Sequence, residues 1–218
     1  MNRFAAIHTL RGSQVEFYLK SRGILELPQM SVKHSASEFD KAYKRSFNCM
    51  YAIATDEAMN IVYTHKTYLE NGKKAEVNVN KKMETVNKYN LPCDACGNEH
   101  AANVAVRMFE HGDTLGISEG IESALSAKQL FGFPVWSVLN TSIMKAFTAP
   151  KGVKRLIIYA DNDINGAGMA AAMVCAHKNI LANNDVKKVI VRMPSKRDSD
   201  FNDMLLEPME TIDFEIGE

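Results

Sequence analysis

Two aspartates separated by one residue follow an apolar run in the C-terminal half of the chain, within the stretch IIYADNDINGAG at 157–168. In an extended chain, side chains at positions i and i+2 point to the same side, so the carboxylates of Asp161 and Asp163 are expected to lie together. Left bare, two such charges repel each other and raise a pKa. Because hard cations bind carboxylate oxygens, the pair predicts a Mg²⁺ or Mn²⁺ site.

The elements around this pair predict a sheet that would bring further acids to it. Strands are predicted at 113–118, 134–139, 155–160 and 186–194, and helices at 120–131, 141–147, 166–182 and 200–207. This alternation is typical of a parallel sheet with helices on its faces, in which ligands bind at the carboxyl ends of the strands. Glu119 follows the first strand, so we expect it to converge with Asp161 and Asp163. Asp200 and Asp203 follow the last strand and offer further carboxylates.

The N-terminal half is less regular. Helical spacing is found at 13–24, and 49–79 is predicted to be a β-meander with turns near 56–57 and 71–72, the latter an Asn-Gly pair. We therefore expect an α/β fold in which a small α+β region, residues 1–112, precedes a parallel-sheet domain at 113–206. Residues 207–218 are expected to be a C-terminal tail.

The composition is that of a globular protein and predicts no membrane span. The 218 residues have a net charge of zero and are 46% hydrophobic, as in an ordinary globular protein. No stretch of about 18 apolar residues predicts a membrane span, and no signal peptide is recognised at the start. The four cysteines are expected to be reduced thiols in a cytosolic compartment, which predicts a cytoplasmic protein. Residues 1–112 contain 15 Lys and Arg against 12 Asp and Glu, whereas the remainder contains 11 against 14.

Two other motifs fit the aspartate pair less well. The letters DNDING match the first half of a calcium loop, but the twelfth position of that loop is Ala172 rather than glutamate. Gly166, Gly168 and Ala171 match a loose dinucleotide fingerprint, but two aspartates would then lie beside a pyrophosphate. The glycines are more simply explained as shaping the turn into a helix.

Three segments in order, ISEGIESALSA, IIYADNDINGAGMAAA and DSDFNDML, resemble the Toprim domain of primases, topoisomerases and some nucleases. The resemblance implies that Glu119 is a general acid/base or a metal ligand and that Asp161 and Asp163 bind Mg²⁺ or Mn²⁺. Asp200 resembles a later metal-binding acid, although Asp198 and Asp203 are alternatives for it. The segments VEFYLKSRGI and HKTYLENGKKAEV are similar to primase-type Toprim proteins of phages and plasmids, the P4-like group.

This resemblance implies a primase-type nucleotidyltransferase that uses NTPs on single-stranded DNA in phage or mobile-element replication, with a replicative helicase as a further partner. A metal-dependent Toprim nuclease that nicks DNA is the alternative, because the same acids could direct water at a phosphodiester. A non-catalytic protein that binds DNA or a replisome is the third hypothesis. A topoisomerase is not favoured, because its nucleophilic tyrosine is expected in a separate domain of a longer chain.

Lysines are concentrated between residues 66 and 82. A lysine-rich face is usually just solvated, but beside an acidic metal site it also suits a single-stranded template. The residues predicted to bind nucleic acid or nucleotide are Lys66, Lys74, Lys81 and Lys82.

Two cysteines, Cys93 and Cys96, have the spacing of half a zinc site. A structural zinc ion needs four ligands, and no second C-x-x-C pair is present in the sequence. A pair of cysteines in a turn is therefore the favoured interpretation, and a zinc site is the alternative.

Overall fold

Two five-stranded sheets, one in each half of the chain, form the framework of the described residues. The computed structural model describes residues 9–86 and 103–217. The elements of the first half are α1 (Gln14–Ser21), β1 (Val32–Asp40), β2 (Arg45–Thr55), β3 (Ile61–Glu70), β4 (Lys73–Lys74) and β5 (Lys81–Thr85). Those of the second half are β6 (Thr114–Ser118), α2 (Ile121–Phe131), β7 (Val135–Ser137), α3 (Thr141–Ala146), β8 (Arg155–Tyr159), α4 (Ala167–Leu181), β9 (Lys188–Pro194), α5 (Phe201–Leu206) and β10 (Thr211–Gly217).

The N-terminal sheet is antiparallel, with β1, β2, β3 and β4 in that order and β5 also paired to β3. The turn between β3 and β4 places both Asn71 and Gly72 at positive φ, at 50° and 69°. Asparagine and glycine adopt that conformation at little cost, which explains the tight hairpin that the sequence predicts here. The meander and helix α1 are thus found where expected, whereas β1 and β5 were not predicted.

The C-terminal sheet has the order β10-β9-β8-β6-β7. Strands β6, β7, β8 and β9 are parallel, so the predicted α/β class with a parallel sheet flanked by helices is confirmed. Ser118 at the end of β6 lies opposite Tyr159 at the end of β8, which sets the residues that follow each strand side by side. Within the part of the chain that is described, no helix is both long and apolar enough to cross a bilayer.

The segment expected to be a tail contains strand β10, which pairs with β9 in antiparallel register. Its residues alternate between apolar side chains at 212, 214 and 216 and acidic ones at 213 and 215, the period of a strand. Asp213 and Glu215 form ion pairs with Arg192 and Lys188 of β9. Cross-strand charge pairs therefore support this edge strand.

The largest hydrophobic core joins the two halves of the chain. Tyr18 and Leu19 of α1 are buried in it together with Ile121 and Leu125 of α2. A second core lies between the sheet and helices α3 and α4. Because the first core is shared, the N-terminal sheet is held against the C-terminal sheet.

Glycine at position 116 is required by close packing in the middle of β6. A Cβ atom there would come within 2.6 Å of the Tyr159 ring and 2.8 Å of Val135, and both side chains are buried. We predict that Gly116→Ala lowers the free energy of unfolding by about 1–3 kcal/mol, the usual effect of overpacking a core. Urea denaturation measures the change. Gly112→Ala, with nothing within 4 Å of the added carbon, is the control and should change stability by less than about 0.5 kcal/mol.

Candidate active site

Carboxylates from three separate segments line one pocket of about 340 Å³ at the carboxyl edge of the C-terminal sheet. They belong to Glu119, which follows β6, to Asp161, which lies just after β8, and to Asp200, which lies just before α5. We call these three residues the acidic wall. The parallel register of β6 and β8 places Glu119 and Asp161 together, as the alternating pattern of the sequence predicts.

Asp161 has the most perturbed environment in the acidic wall. Its Oδ1 atom is buried and has no hydrogen-bond partner among the described residues. Burial, and then the negative charges of Asp200, Asp163 and Glu119, raise the pKa of Asp161 to about 7. Burial and the charge of Asp163 also raise the pKa of Glu119. The fold therefore gathers like charges that repel one another.

Asp163 lies in the turn that precedes α4 and is not a lining residue of the pocket. Its Oδ2 atom accepts a hydrogen bond of 3.1 Å from the backbone N–H of Gly168. A Cβ atom on Gly168 would lie 3.0 Å from that oxygen and 3.1 Å from the Asp161 carbonyl. Glycine at 168 thus permits the close approach of helix and aspartate, as the sequence suggests for a turn-shaping glycine.

Of the three acids between 198 and 203, only Asp200 lines the pocket. Asp200 is the N-cap of α5 and accepts hydrogen bonds from the backbone N–H groups of Asn202 and Asp203. The Asp203 carboxylate accepts in return from the Asp200 backbone, which completes a capping box. Ser123 of α2 donates to the other Asp200 oxygen at 3.3 Å.

Two of the four predicted lysines face the acidic wall and two do not. Lys74 and Lys81 line the pocket together with Arg22, and we call these three residues the basic wall. Lys66 lies on the opposite face of the N-terminal sheet, where its Nζ atom pairs with Glu38 at 2.7 Å and with a carboxylate oxygen of residue 84 at 2.8 Å.

Lys82 pairs across the ladder with Lys66 and so shares that opposite face. The expectation that all four lysines stand next to the acidic wall is therefore corrected. Successive side chains in a strand alternate between faces, and the strand register that decides each face is not readable from a cluster of lysines.

Glu122 is a residue of the pocket that the sequence analysis did not single out. It is almost fully buried in the first turn of α2. Its Oε1 atom accepts a hydrogen bond of 2.5 Å from the Tyr18 hydroxyl and lies 3.0 Å from Lys74 Nζ and 3.9 Å from Lys81 Nζ. Burial opposes its charge, but the two lysines and Tyr18 hold the pKa of Glu122 down to about 2. Its place three residues after Glu119 is the sequence signal that could have found it.

His65 of β3 was also missed, and it lines the pocket between the two walls. Burial, and then the positive charge of Lys81, lower the pKa of His65 to about 4, so its imidazole is neutral at pH 7. Its Nδ1 atom is buried without a hydrogen-bond partner in the described part of the chain. No pattern in the sequence marks this histidine, because its role depends on which face of β3 meets the pocket.

The chemistry of the acidic wall fits a divalent cation. The unpartnered oxygen of Asp161 and the repulsion among its neighbours are what a bound cation relieves. Within 9–86 and 103–217, no three His, Cys, Asp or Glu side chains are gathered as a ready-made metal site. Cys93 and Cys96, for which a turn was the favoured interpretation and a zinc site the alternative, lie outside the described residues.

Family models match segments in both halves of the chain. A family model described as the Toprim domain matches residues 114–209. Residues 114–209 form a Toprim domain. A second family model, a domain of unknown function named DUF7146, matches residues 2–88. No curated protein matches the chain.

Solved structures similar to this chain include domains and fragments of primases. A DNA primase domain from Pseudomonas aeruginosa has a TM-score of 0.52 and 12% identity, with 96% of this chain and 72% of that one covered. The primase fragment of the bacteriophage T7 primase-helicase has a TM-score of 0.50 and 16% identity, covering 88% and 64%. A DnaG primase catalytic domain bound to ssDNA has a TM-score of 0.51 and 11% identity, covering 93% and 72%. At these identities the likeness shows a shared fold.

Because the pKa of Asp161 is raised, we expect the free energy of unfolding of the metal-free protein to depend on pH. Its pKa is about 7 in the folded state against a usual value of 3.8. The favourable contribution of the protonated carboxyl is thus complete below about pH 4 and is lost as the pH rises through 7. We predict that Asp161→Asn is more stable than the wild type by about 2–4 kcal/mol at pH 8 in EDTA.

Thermal unfolding at several pH values measures this effect, and the difference should shrink towards pH 4. Added Mg²⁺ should raise the Tm of the wild type more than that of Asp161→Asn. An Asn variant that is less stable than the wild type at pH 8 in EDTA would contradict the assignment.

Proposed function

We propose that this chain is a primase-type nucleotidyltransferase that joins NTPs on a single-stranded DNA template with the help of Mg²⁺ or Mn²⁺. The observation that carries the proposal is one pocket that is lined by both the acidic wall and the basic wall. Such a pocket suits a substrate that brings phosphate charges and needs a cation. The cellular setting we propose is phage or mobile-element replication in the bacterial cytoplasm.

Each wall has its own role in the proposed reaction. Glu119, Asp161, Asp163 and Asp200 would hold the metal, which when bound neutralises phosphate charge and stabilises the departing pyrophosphate during attack by a 3′-hydroxyl. Arg22, Lys74 and Lys81 bind the anionic oxygens of the triphosphate, since their donors line the same pocket. Part of the barrier is removed because both reactants are oriented before the reaction.

A groove outside the pocket offers a path for the template strand. The pocket continues into hollows of about 330 Å³ and 320 Å³ that share Ser21 and Lys73. The second hollow is lined by Phe17, which is 53% exposed. Proteins bind single-stranded nucleic acid with lysines that follow its phosphate backbone and with aromatic rings on which its bases stack.

Two similar structures bear on the partners. The DnaG catalytic domain with this fold is bound to ssDNA, and the T7 fragment belongs to a primase-helicase protein. For this chain, we therefore propose single-stranded DNA as template and a replicative helicase as partner.

A Toprim nuclease is the second candidate function, and His65 is the observation that favours it. A neutral imidazole with an unpartnered, buried Nδ1 atom lies beside the acidic wall. Because its pKa is lowered to about 4, this imidazole would be a weak base, but as a neutral group it could orient an attacking water molecule by a hydrogen bond. Because the same carboxylates serve both reactions, activity assays are needed to separate them.

For the primase activity, we predict that the wild type incorporates labelled NTPs on a single-stranded template with Mg²⁺ or Mn²⁺. Asp161→Asn should lose at least about 100-fold in turnover, as when a charge-stabilising group is removed from an active site. Asp198→Asn is the matched control, because Asp198 belongs to the same acidic region but does not line the pocket. The control should keep its turnover within about threefold of wild type.

A plasmid-nicking assay run in parallel distinguishes the alternatives. Nicking without NTP incorporation would assign the protein to the nucleases. DNA binding without either activity would leave a non-catalytic binder. Full turnover of Asp161→Asn would refute the acidic wall as the reaction site.

For the template path, we predict that Lys73→Glu weakens binding of single-stranded DNA by about tenfold at low salt and lowers the salt dependence of binding. Lys82→Glu makes the same charge change on the opposite face of the sheet and should weaken binding less than about threefold. Fluorescence anisotropy with a labelled oligonucleotide measures both. Equal losses in the two variants would show that the groove is not the path.

A further inference from the structure

Glu122 is positioned to control where two ammonium groups of the pocket lie. Its side chain is 8% exposed, and one of its oxygens lies 3.0 Å from Lys74 Nζ and 3.9 Å from Lys81 Nζ. The Tyr18 hydroxyl donates to the same oxygen at 2.5 Å. Glu122 therefore pairs with two of the three members of the basic wall.

Lys81 also has access to the opposite wall. It lines the same pocket as Glu119 and Asp161. Burial and the charge of Asp163 raise the pKa of Glu119, and the positive charge of Lys81 only partly opposes that rise. A lysine ammonium on a flexible four-carbon stem can form an ion pair with either set of carboxylates. An ion pair with the acidic wall would occupy the oxygens that a metal needs.

We propose that Glu122 is a positioning residue that retains Lys74 and Lys81 on the basic wall and so keeps the acidic wall available to a divalent cation. This inference rests on the metal site of the proposed function. In this role, Glu122 prevents the ammonium group of Lys81 from taking the place of the divalent metal ion at the acidic wall.

The burial of Glu122 explains why it can retain the lysines. Charge pairs attract more strongly where water is excluded, and Glu122 is more deeply buried than Glu119. Its place in the first turn of α2 also favours a negative charge, because the helix N-terminus is partly positive. If that charge is removed, two neighbouring ammonium groups are left unpaired in the pocket.

The position of Glu122 is itself fixed by the core shared between the two halves of the chain. Tyr18, its hydrogen-bond donor, is buried on α1 and packs in that core with Ile121. The separation of the two walls therefore depends on apolar packing and does not depend on the lysines. The role left to Glu122 is to hold the ammonium groups of Lys74 and Lys81 on the basic wall by ion pairing.

A double-mutant cycle on the full chain tests the proposal, with Mn²⁺ affinity as the measured quantity. Free Mn²⁺ is followed by electron paramagnetic resonance for the wild type, Glu122→Gln, Lys81→Met and the double variant. Glu122→Gln should weaken Mn²⁺ binding by about tenfold, because Lys81 then pairs with the acidic wall. In the Lys81→Met background the same change should weaken binding by less than about threefold.

Three outcomes would overturn the inference. The first is a Glu122→Gln variant that binds Mn²⁺ as the wild type does. The second is an equal loss of affinity in both backgrounds, which is what general damage to the fold would cause. The third is a wild type that binds no Mn²⁺, which would also remove the metal site from the proposed function. In the first two, normal NTP incorporation by the wild type leaves the proposed function intact.

If circular dichroism and Tm show that Glu122→Gln does not fold, a second substitution at the same position tests the proposal. Glu122→Asp keeps the charge but shortens the side chain, so its carboxylate lies farther from both lysines. It should weaken Mn²⁺ binding by about threefold, and Lys81→Met should remove that loss. A loss that persists in the Lys81→Met background would overturn the proposal.

Discussion

The candidate active site depends on carboxyl groups that are partly buried together at one edge of a parallel sheet. Strands β6 and β8 run in the same direction and in register, so the acids that follow them must lie together. Backbone N–H groups donate hydrogen bonds to the carboxylates of Asp200 and Asp163, but the Asp161 Oδ1 atom has no partner among the described residues. An arrangement that opposes folding in this way is expected where a cation completes the site.

The second constraint is the hydrophobic core that joins the two halves. It holds helix α1 against α2 and so places the basic wall opposite the acidic wall. Neither sheet alone would form the pocket, because the lysines come from one half and the carboxylates from the other. Glu122 belongs to the C-terminal half but pairs with the lysines of the N-terminal half. Charges of both signs can therefore lie in one pocket without collapsing into one network of ion pairs.

Most of the C-terminal fold could be predicted from its sequence, because strands and helices alternate there with clear apolar periods. The alternation of strands and helices also predicted that Glu119 and Asp161 lie at the same edge of a parallel sheet. The faces of the lysines could not be predicted, since a shift of one residue in the register of β3 and β5 would exchange Lys66 for His65. The role of Glu122 was hidden for a related reason: its partner Tyr18 is 104 residues away in the chain. The edge strand β10, which pairs with β9, was missed although residues 212–216 alternate with the period of a strand.

The central claim is that carboxylates of the acidic wall share one divalent cation. A crystal structure of the protein soaked in Mn²⁺, with anomalous data collected at the manganese edge, tests it most directly. The account predicts an anomalous peak coordinated by Asp161 together with Glu119 or Asp200. At saturating Mn²⁺, an acidic wall without such a peak, or with the Lys81 ammonium bound to Asp161 in its place, would contradict it.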